Sequence, residues 1–224
     1  MNRIYLSPSD QNANLYAFGD TTELVQCRRI ADACGSALLR CGFEVMNNQT
    51  DTMEQRVAQS NAWGADLHVP IHTNAFNGEV SGTRMFYLNE NSRGKDACLA
   101  IFNRLAPVTP GASESIRAYP ELYELKATTA PAAYIECEFH DVPETAKWII
   151  EHVEDIGEAI CAGICDYFGV QYIDPDGTDE PEWSRKEGWW AKATAAGIVD
   201  GTRAEDSIKR AELITILGRL GIIK

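Results

Sequence analysis

Short apolar runs alternate with stretches of helical spacing along most of the chain. Apolar runs bounded by turn-forming residues predict strands over 4–6, 43–46, 66–72, 81–88 and 132–137. Apolar residues at helical spacing predict helices over about 22–41, 51–62, 95–105 and 143–168. Residues 106–130 hold three prolines and mixed signals, and they predict no element. Strands that alternate with helices are typical of an α/β domain with a largely parallel sheet.

By composition, the chain divides into a large domain, a linker and a small helical segment. Residues 1–173 contain all the predicted strands. Residues 174–182 are polar and contain proline and glycine without apolar periodicity, which indicates a linker. Residues 183–224 are predicted to be helical and are too few to bury a strong core alone. We therefore expect this last segment to pack on the first domain or on a partner.

The charge of the chain limits its partners. Of the 224 residues, 33 are acidic and 20 are basic, which gives a formal net charge of −13. Without a stripe of lysine and arginine, this charge disfavours binding to nucleic acid or to an anionic membrane. No apolar run is long enough to span a bilayer. The N-terminus reaches Pro8 and Asp10 before a secretory apolar region could form, so we expect no signal peptide.

The chain has seven cysteines, an odd number, and no C-x-x-C pair. Cys27, Cys34 and Cys41 recur every seven residues within one predicted helix, and Cys161 and Cys165 lie four apart within another. This spacing predicts small, buried, apolar side chains in a protein that folds in a reducing cytoplasm.

Three polar side chains are predicted at the carboxyl ends of strands, where ligands bind in α/β sheets. His72 closes the strand 66–72, Glu136 lies near the end of the strand 132–137, and Glu23 lies in the first turn of a helix. Neutral imidazole and carboxylate groups suit zinc, and a further carboxylate beside a zinc-activated water can act as a general base. Spacing alone is weak evidence, because one histidine and two glutamates occur together in most proteins.

Segments that carry these residues resemble motifs of a known enzyme family. Residues 65–75, Ala-Asp-Leu-His-Val-Pro-Ile-His-Thr-Asn-Ala, resemble the S-I-H-x-N-A segment of zinc-dependent N-acetylmuramoyl-L-alanine amidases of the Amidase_3 type. Residues 131–139, Pro-Ala-Ala-Tyr-Ile-Glu-Cys-Glu-Phe, are similar to the P-A-x-L-V-E-x-G-F segment that bears the family's catalytic glutamate. Residues 82–87 resemble the family's next strand, and residues 6–9 resemble the opening of a phage-lysin branch.

The resemblance implies a twisted mixed sheet flanked by helices, one zinc ion, and hydrolysis of the amide between the muramoyl lactyl group and L-alanine of peptidoglycan. Carried over by position, it makes His72 and Glu23 zinc ligands and Glu136 the general base and acid. Without the resemblance, Glu23 could serve only its helix dipole and Glu136 only an ion pair. His68 lies about 13 Å back along the strand from His72 and is expected to be structural.

One departure from the family concerns the first metal ligand. The family has a histidine after strand one, in a D-P-G-H-G-G turn, and this chain has Asp10 at that place. Aspartate can bind zinc through oxygen, and a set of one histidine and two carboxylates shifts the preference toward manganese or magnesium. Three alternatives stay open: Asp10 is a working ligand, another group serves, or the metal is weakly bound or absent. A simple turn or helix-cap role for Asp10 also stays open.

Four further residues are candidates for substrate binding: Asn74, Arg84, Glu138 and His140. Asn74 belongs to the first motif, and Arg84 could pair with a carboxylate of the stem peptide. Glu138 replaces the family's glycine, and strand alternation places it on the same face as Glu136, where it would raise one carboxyl pKa or add a metal ligand. His140 could reach the mouth of the cleft.

The C-terminal segment resembles one S-layer-homology-type unit. It has Trp-Trp at 189–190, a Gly-Ile-Val-Asp-Gly-Thr turn at 197–202 and an Arg-Ala-Glu-led helix from 210. Such units bind cell-wall polymers, usually in threes, so a single copy implies a homodimer or a remnant docking role. Alternatively, Trp183, Trp189 and Trp190 form the core of a helical hairpin.

We therefore predict a metal-dependent peptidoglycan amidase, an endolysin of a phage or prophage that acts on the cell wall of a Gram-positive host. The expected absence of a signal peptide fits a lysin that a separate pore protein releases. Two alternatives from other classes stay open. One is a wall-binding module built on a catalytically impaired amidase, which Asp10 favours, and the other is an unrelated α/β hydrolase that cuts another amide.

Overall fold

The computed structural model of the chain describes residues 1–112 and 114–175. One compact unit spans Met1–Tyr172 and contains all the elements given below. The predicted linker is described only as far as residue 175. The predicted helical segment 183–224, with its resemblance to an S-layer-homology unit, lies outside the described residues.

A mixed sheet lies at the centre of this unit. In the described part of the chain its strands are β1 Arg3–Pro8, β2 Glu44–Asn47, β3 Leu67–Asn74, β4 Arg84–Tyr87, β5 Ser115–Ala118 and β6 Tyr134–Phe139. Their order is β2-β1-β3-β6-β4-β5. Neighbouring strands are parallel except β4 and β6, which are antiparallel. The predicted α/β fold with a mixed sheet flanked by helices is confirmed.

The helices begin and end at local sequence signals. Their bounds are α1 Glu23–Arg40, α2 Met53–Trp63, α3 Arg93–Leu105, α4 Tyr123–Ala127, α5 Pro143–Glu151 and α6 Val153–Phe168, with a 3-10 turn at Ala106–Val108. The Thr22 side chain caps α1 by accepting the amide of Val25, and Thr52 forms a capping box with Gln55 at the start of α2. Gly169 ends α6 in the left-handed conformation that suits glycine.

The main core packs α1, α3 and α6 against the sheet. Alternate strand residues enter it, including Leu6 of β1 and Val69 and Ile71 of β3. Because successive strand side chains point to opposite faces, His68 and His72 belong to the other set. Both histidines are nevertheless buried, so this second face carries polar groups that are shielded from water.

The helix predicted over 143–168 is two helices. The backbone leaves the helical conformation at His152, where φ is −123° and ψ is 29°. The His152 ring stacks on Trp148 at 4.6 Å between centroids, and its Nδ1 lies 2.8 Å from the Trp148 carbonyl oxygen. The predicted apolar face is confirmed, because all its members are buried: Ile149, Val153, Ile156, Ile160 and Ile164.

Residues 106–130, for which the sequence predicts no element, contain β5 and α4. These elements have four and five residues. Five residues are too few for a helix to show apolar periodicity, and three prolines interrupt the segment that contains β5. The helix α4 matters for the site, because it brings an acidic side chain to the polar face of the sheet.

All seven cysteines are buried, including the five whose spacing predicts it. All seven belong to the main core, where they pack as small apolar residues. None of the described helices combines the length and the apolar character of a membrane-spanning segment.

Candidate active site

His72 and Glu23 meet at the carboxyl end of the parallel strands. His72 lies near the end of β3, and the Thr22 cap makes Glu23 the first residue of α1. Glu23 Oε1 lies 2.8 Å from His72 Nδ1, and Glu23 Oε2 accepts a hydrogen bond from Asn14 Nδ2 at 2.7 Å. Tyr134 stacks on the imidazole at 4.6 Å between ring centroids. These contacts hold the carboxylate and the ring in one relative orientation.

Glu136 stands beside His72, because the two residues are register partners in β6 and β3. Arg84 of β4 is its partner on the other side. Glu136 Oε2 is buried and has no hydrogen-bond partner among the described residues. Loss of hydration raises the pKa of Glu136 to about 7. The positive charges of His72 and Arg84 lower this pKa, whereas the negative charge of Glu23 raises it further. Such a carboxyl group can accept and donate a proton near neutral pH.

Glu124, which no sequence pattern singles out, completes the surroundings of His72. It lies in α4, is 1% exposed, and brings Oε2 to 3.9 Å from His72 Nε2. Its Oε1 accepts hydrogen bonds from Ser7 Oγ and from His68 Nε2. Burial disfavours an imidazolium, but the carboxylates of Glu124 and Glu23 raise the pKa of His72 to about 10. His72 therefore has a carboxylate next to each ring nitrogen.

Asp10 is not brought to His72 and Glu23. Its side chain is 46% exposed and lies 3.7 Å from Arg56 Nη1. Across residues 1–112 and 114–175, no group of three close metal-donor side chains contains Asp10, Glu23 or His72. In this conformation Asp10 forms an ion pair with Arg56, and its role as a metal ligand stays a prediction.

Glu138 anchors two loops. Its Oε2 and Oε1 accept the backbone amides of Gly82 and Gly111, both at 2.6 Å. Its backbone adopts a φ of 59°, and the pairing register of β6 with β3 shifts nearby, so the regular alternation expected from Glu136 to Glu138 is interrupted. Glu138 is fully buried. Both carboxylate oxygens are thus engaged by amides, and a contact between Glu138 and a substrate stays a prediction.

Two further histidines, His68 and His140, make their contacts inside the protein. His68 is fully buried and donates to Glu124, as expected for a residue outside the site. His140 is 3% exposed, stacks on Tyr16 at 5.0 Å, and has its Nδ1 2.9 Å from Thr73 Oγ1. Burial lowers the pKa of His140, which favours its neutral form. The ring is enclosed in this structure, and a contact between His140 and a substrate stays a prediction.

Asn74 and Arg84 are partly exposed beside these groups. Asn74 is the last residue of β3, and its Oδ1 accepts the Ala75 amide at 2.9 Å. The Arg84 guanidinium lies 4.9 Å from the centre of the Phe139 ring. Both residues remain candidates for substrate contact.

The comparison that decides the family covers most of the described chain. A family model described as N-acetylmuramoyl-L-alanine amidase, Amidase_3, matches residues 10–166. The chain belongs to the Amidase_3 family. Glu23, His72, Glu124 and Glu136 all lie within the matched range.

Individual relatives of this Amidase_3 chain are distant. An uncharacterized cell wall amidase of Bacillus anthracis is 29% identical over an alignment of 131 residues, and the match covers 54% of this chain. The match spans 24% of the length of that curated relative.

Solved amidase structures share the fold of this chain. The catalytic domain of CwlV from Bacillus (Paenibacillus) polymyxa var. colistinus superposes with a TM-score of 0.70 at 20% identity, over 76% of this chain and 100% of that one. An N-acetylmuramoyl-L-alanine amidase from Clostridium difficile 630 superposes with a TM-score of 0.70 at 20% identity. That match covers 75% of this chain and 97% of the other. At this identity the likeness concerns the fold.

The donors at Glu23 and His72 fit the divalent cation that the Amidase_3 resemblance implies. Two ligand atoms of a tetrahedral zinc, each about 2.1 Å from the metal, lie about 3.4 Å apart. Glu23 Oε1 and His72 Nδ1 are 2.8 Å apart, so a small movement of either side chain would let both bind one ion. The buried, unpartnered Oε2 of Glu136 adds a carboxylate beside them.

A second group of metal-donor side chains lies in the core of this Amidase_3 domain. The Sγ atoms of Cys41, Cys161 and Cys165 lie within 4.8 Å of one another, the one such group of three found in the described residues. These thiols are buried where the end of α1 meets α6. They belong to the main core and not to the polar face that carries His72. The number of zinc ions bound per chain would therefore not show whether zinc binds at the three thiols or at Glu23 and His72.

Proposed function

We propose that this Amidase_3 chain hydrolyses the amide between N-acetylmuramic acid and L-alanine in peptidoglycan. The observation that carries the proposal is a convergence of three side chains from distant parts of the chain. Glu23 meets His72 at 2.8 Å, and Glu136 stands beside His72 with a buried, unpartnered oxygen. Family membership supports it, and so does the description of the Bacillus anthracis relative as a cell wall amidase.

The proposed mechanism uses Glu136 twice. A divalent cation held by Glu23 and His72, which we propose to be zinc, would polarise the amide carbonyl and acidify the attacking water. Glu136 accepts a proton from this water as the water oxygen bonds to the amide carbon. It then donates that proton to the L-alanine nitrogen as the C–N bond breaks. Burial, which raises the pKa of Glu136, favours the protonated form that the second transfer needs. Asp10 would have to leave Arg56 to add a third ligand.

Narrower proposals concern the substrate and the setting. Arg84 is partly exposed beside Glu136, where it can pair with a carboxylate of the stem peptide, and Asn74 lies at the end of the neighbouring strand. The resemblance of residues 6–9 to a phage-lysin branch supports an endolysin. The resemblance of 183–224 to an S-layer-homology unit supports binding of a cell-wall polymer or of a second copy of the chain.

Glu136→Gln tests the proposed reaction. The amide keeps the shape of the side chain but carries no proton between water and leaving group, so we expect the rate to fall by about 10²- to 10⁴-fold. The assay is release of free L-alanine amino ends from purified cell walls, with the cleaved bond identified by mass spectrometry. The control is Glu121→Gln, an exposed acid that should leave the rate unchanged. Full activity of Glu136→Gln would refute the role of this residue.

The proposed cation is tested by separating the two metal-capable places. We expect His72→Ala to lose the bound zinc and the activity, because it removes a ligand. The matched control is Cys161→Ala, which removes one of the three clustered thiols. This variant should keep both the bound zinc and the activity. Elemental analysis of each purified variant after loading with zinc is the measurement. If Cys161→Ala loses the bound zinc and His72→Ala keeps it, the proposal is contradicted.

The alternative of a wall-binding module built on an impaired amidase makes a different prediction. Intact protein would sediment with purified cell walls without producing new L-alanine ends. An unrelated hydrolase would instead produce muropeptide fragments cut at another bond. The convergence of Glu23, His72 and Glu136 favours the amidase over both.

A further inference from the structure

Glu124 is a buried acidic group that the proposed reaction does not use. Its side chain is 1% exposed and lies in the short helix α4. Its Oε1 accepts from Ser7 and His68, whereas its Oε2 is buried and has no hydrogen-bond partner among the described residues. An unpaired carboxylate oxygen away from water is costly, so this orientation needs a compensating interaction.

The unpaired oxygen of Glu124 faces His72. Glu124 Oε2 lies 3.9 Å from His72 Nε2, which is itself buried and unpartnered in the described part of the chain. A shift of about 1 Å would bring the two atoms to hydrogen-bond distance. The other ring nitrogen faces Glu23 at 2.8 Å, and Tyr134 covers one face of the ring. The imidazole is thus bounded by a carboxylate at each nitrogen.

A chain of hydrogen bonds fixes the Glu124 carboxylate on the side away from His72. Ser7 Oγ, which donates to Glu124, accepts a hydrogen bond from Arg56 Nε at 2.9 Å. Arg56 is 1% exposed, so this hydrogen bond fixes Ser7 beside the carboxylate without competition from water. His68 donates a second hydrogen bond to the same carboxylate oxygen. These contacts leave Oε2 directed at His72.

We propose that Glu124 is a positioning residue that holds the Nε2–H of His72 and so presents Nδ1 to Glu23 and the cation. The inference rests on the proposed metal-dependent function. Histidines that bind metals commonly donate their second N–H to a carboxylate, which selects the tautomer and fixes the ring orientation. Here the carboxylate comes from α4, which lies outside the two amidase motifs at 65–75 and 131–139.

The first test is the affinity for zinc. Glu124→Gln keeps the size of the side chain but removes its charge, and we expect zinc to bind about 10- to 100-fold more weakly in competition with a chelator. The matched control is Glu121→Gln, an exposed acid three positions away, which should bind zinc as the unchanged chain does. We also expect kcat to fall in Glu124→Gln while KM stays the same. Unchanged zinc affinity in Glu124→Gln would overturn the inference.

The second test needs no substitution, so it holds even if Glu124→Gln fails to fold. Long-range ¹H–¹⁵N NMR of the zinc-loaded chain reports which nitrogen of His72 carries the proton. We expect a protonated Nε2 and a metal-bound Nδ1. Metal on Nε2 would overturn the inference.

Failure of the inference can be told apart from failure of the proposed function. If the unchanged chain binds zinc and cuts the amide while Glu124→Gln does the same, only the positioning role fails. If the unchanged chain binds no zinc, the metal-dependent function fails, and the positioning role fails with it.

Discussion

Glu138 occupies a backbone conformation that favours glycine, with a φ of 59°. The corresponding family segment has glycine at this position. A side chain in the left-handed region costs about 1–2 kcal/mol. The carboxylate offsets this cost by accepting the amides of Gly82 and Gly111, and charge-assisted hydrogen bonds of this kind contribute about 1.5–3 kcal/mol each.

Two substitutions at Glu138 separate the backbone cost from the hydrogen bonds. Both Glu138→Ala and Glu138→Gly lose the two bonds, so each is expected to lower the free energy of unfolding. Glu138→Gly relieves the left-handed backbone, so it should be about 1 kcal/mol more stable than Glu138→Ala. Urea denaturation followed by circular dichroism measures the difference. An alanine variant as stable as the glycine variant would argue against backbone strain at this position.

At the scale of elements, the contact between α6 and α1 depends on a glycine. A Cβ added to Gly157 would lie 2.6 Å from the Cβ of Ala33 and 2.7 Å from the nitrogen of Cys34. The two helices therefore approach closely at this point, and backbone atoms cannot move aside as a flexible side chain can. Gly35 of α1 differs, since its nearest neighbour would be Leu6 Cδ1 at 3.6 Å, an ordinary contact.

The pair Gly157→Ala and Gly35→Ala tests this packing. We expect Gly157→Ala to lower the free energy of unfolding by about 1–3 kcal/mol, because it overpacks a close helix contact. Gly35→Ala should be neutral or stabilise by up to about 1 kcal/mol, because alanine favours a helix where space allows. Thermal and urea unfolding of the two variants give both values. Equal effects would mean that helix propensity and not the close approach governs these positions.

At the scale of the whole molecule, the core and the site residues all lie within Met1–Tyr172. Glu23, His72, Glu124 and Glu136 come from four different elements of this unit. Because their geometry depends on the sheet and on the helices around it, the unit should be sufficient for the proposed chemistry. Residues beyond 175 would then act on binding to the wall and not on the reaction.

A chain that ends at residue 175 tests this division. We expect it to unfold cooperatively and to keep kcat/KM on a soluble muropeptide within about threefold, a change of under 1 kcal/mol in transition-state stabilisation. Its binding to intact cell walls should weaken if residues 183–224 hold a wall polymer. Pelleting with purified walls measures that binding. Loss of activity on the soluble substrate would show that the C-terminal residues contribute to the catalytic unit.

Much of the fold was accessible from local pattern. Five strands followed from short apolar runs, and the helices of more than eight residues followed from apolar periodicity. The buried face of 143–168 was found because five apolar residues recur at helical spacing. The break between the two helices at His152 could not be predicted, because the residues on both sides continue the same apolar stripe. The helix α4 was missed because five residues are too few to show a period.

The sequence by itself determined most of the elements, the family and the candidacy of Glu23, His72 and Glu136, because each depends on a contiguous motif or on a period of a few residues. Only the tertiary structure decided which of the candidates meet. It brought Glu124 to His72 and placed Asp10 against Arg56. The physical reason is that burial, hydrogen bonding and charge at a side chain depend on neighbours that are distant along the chain. A local sequence pattern does not show which of these neighbours come close.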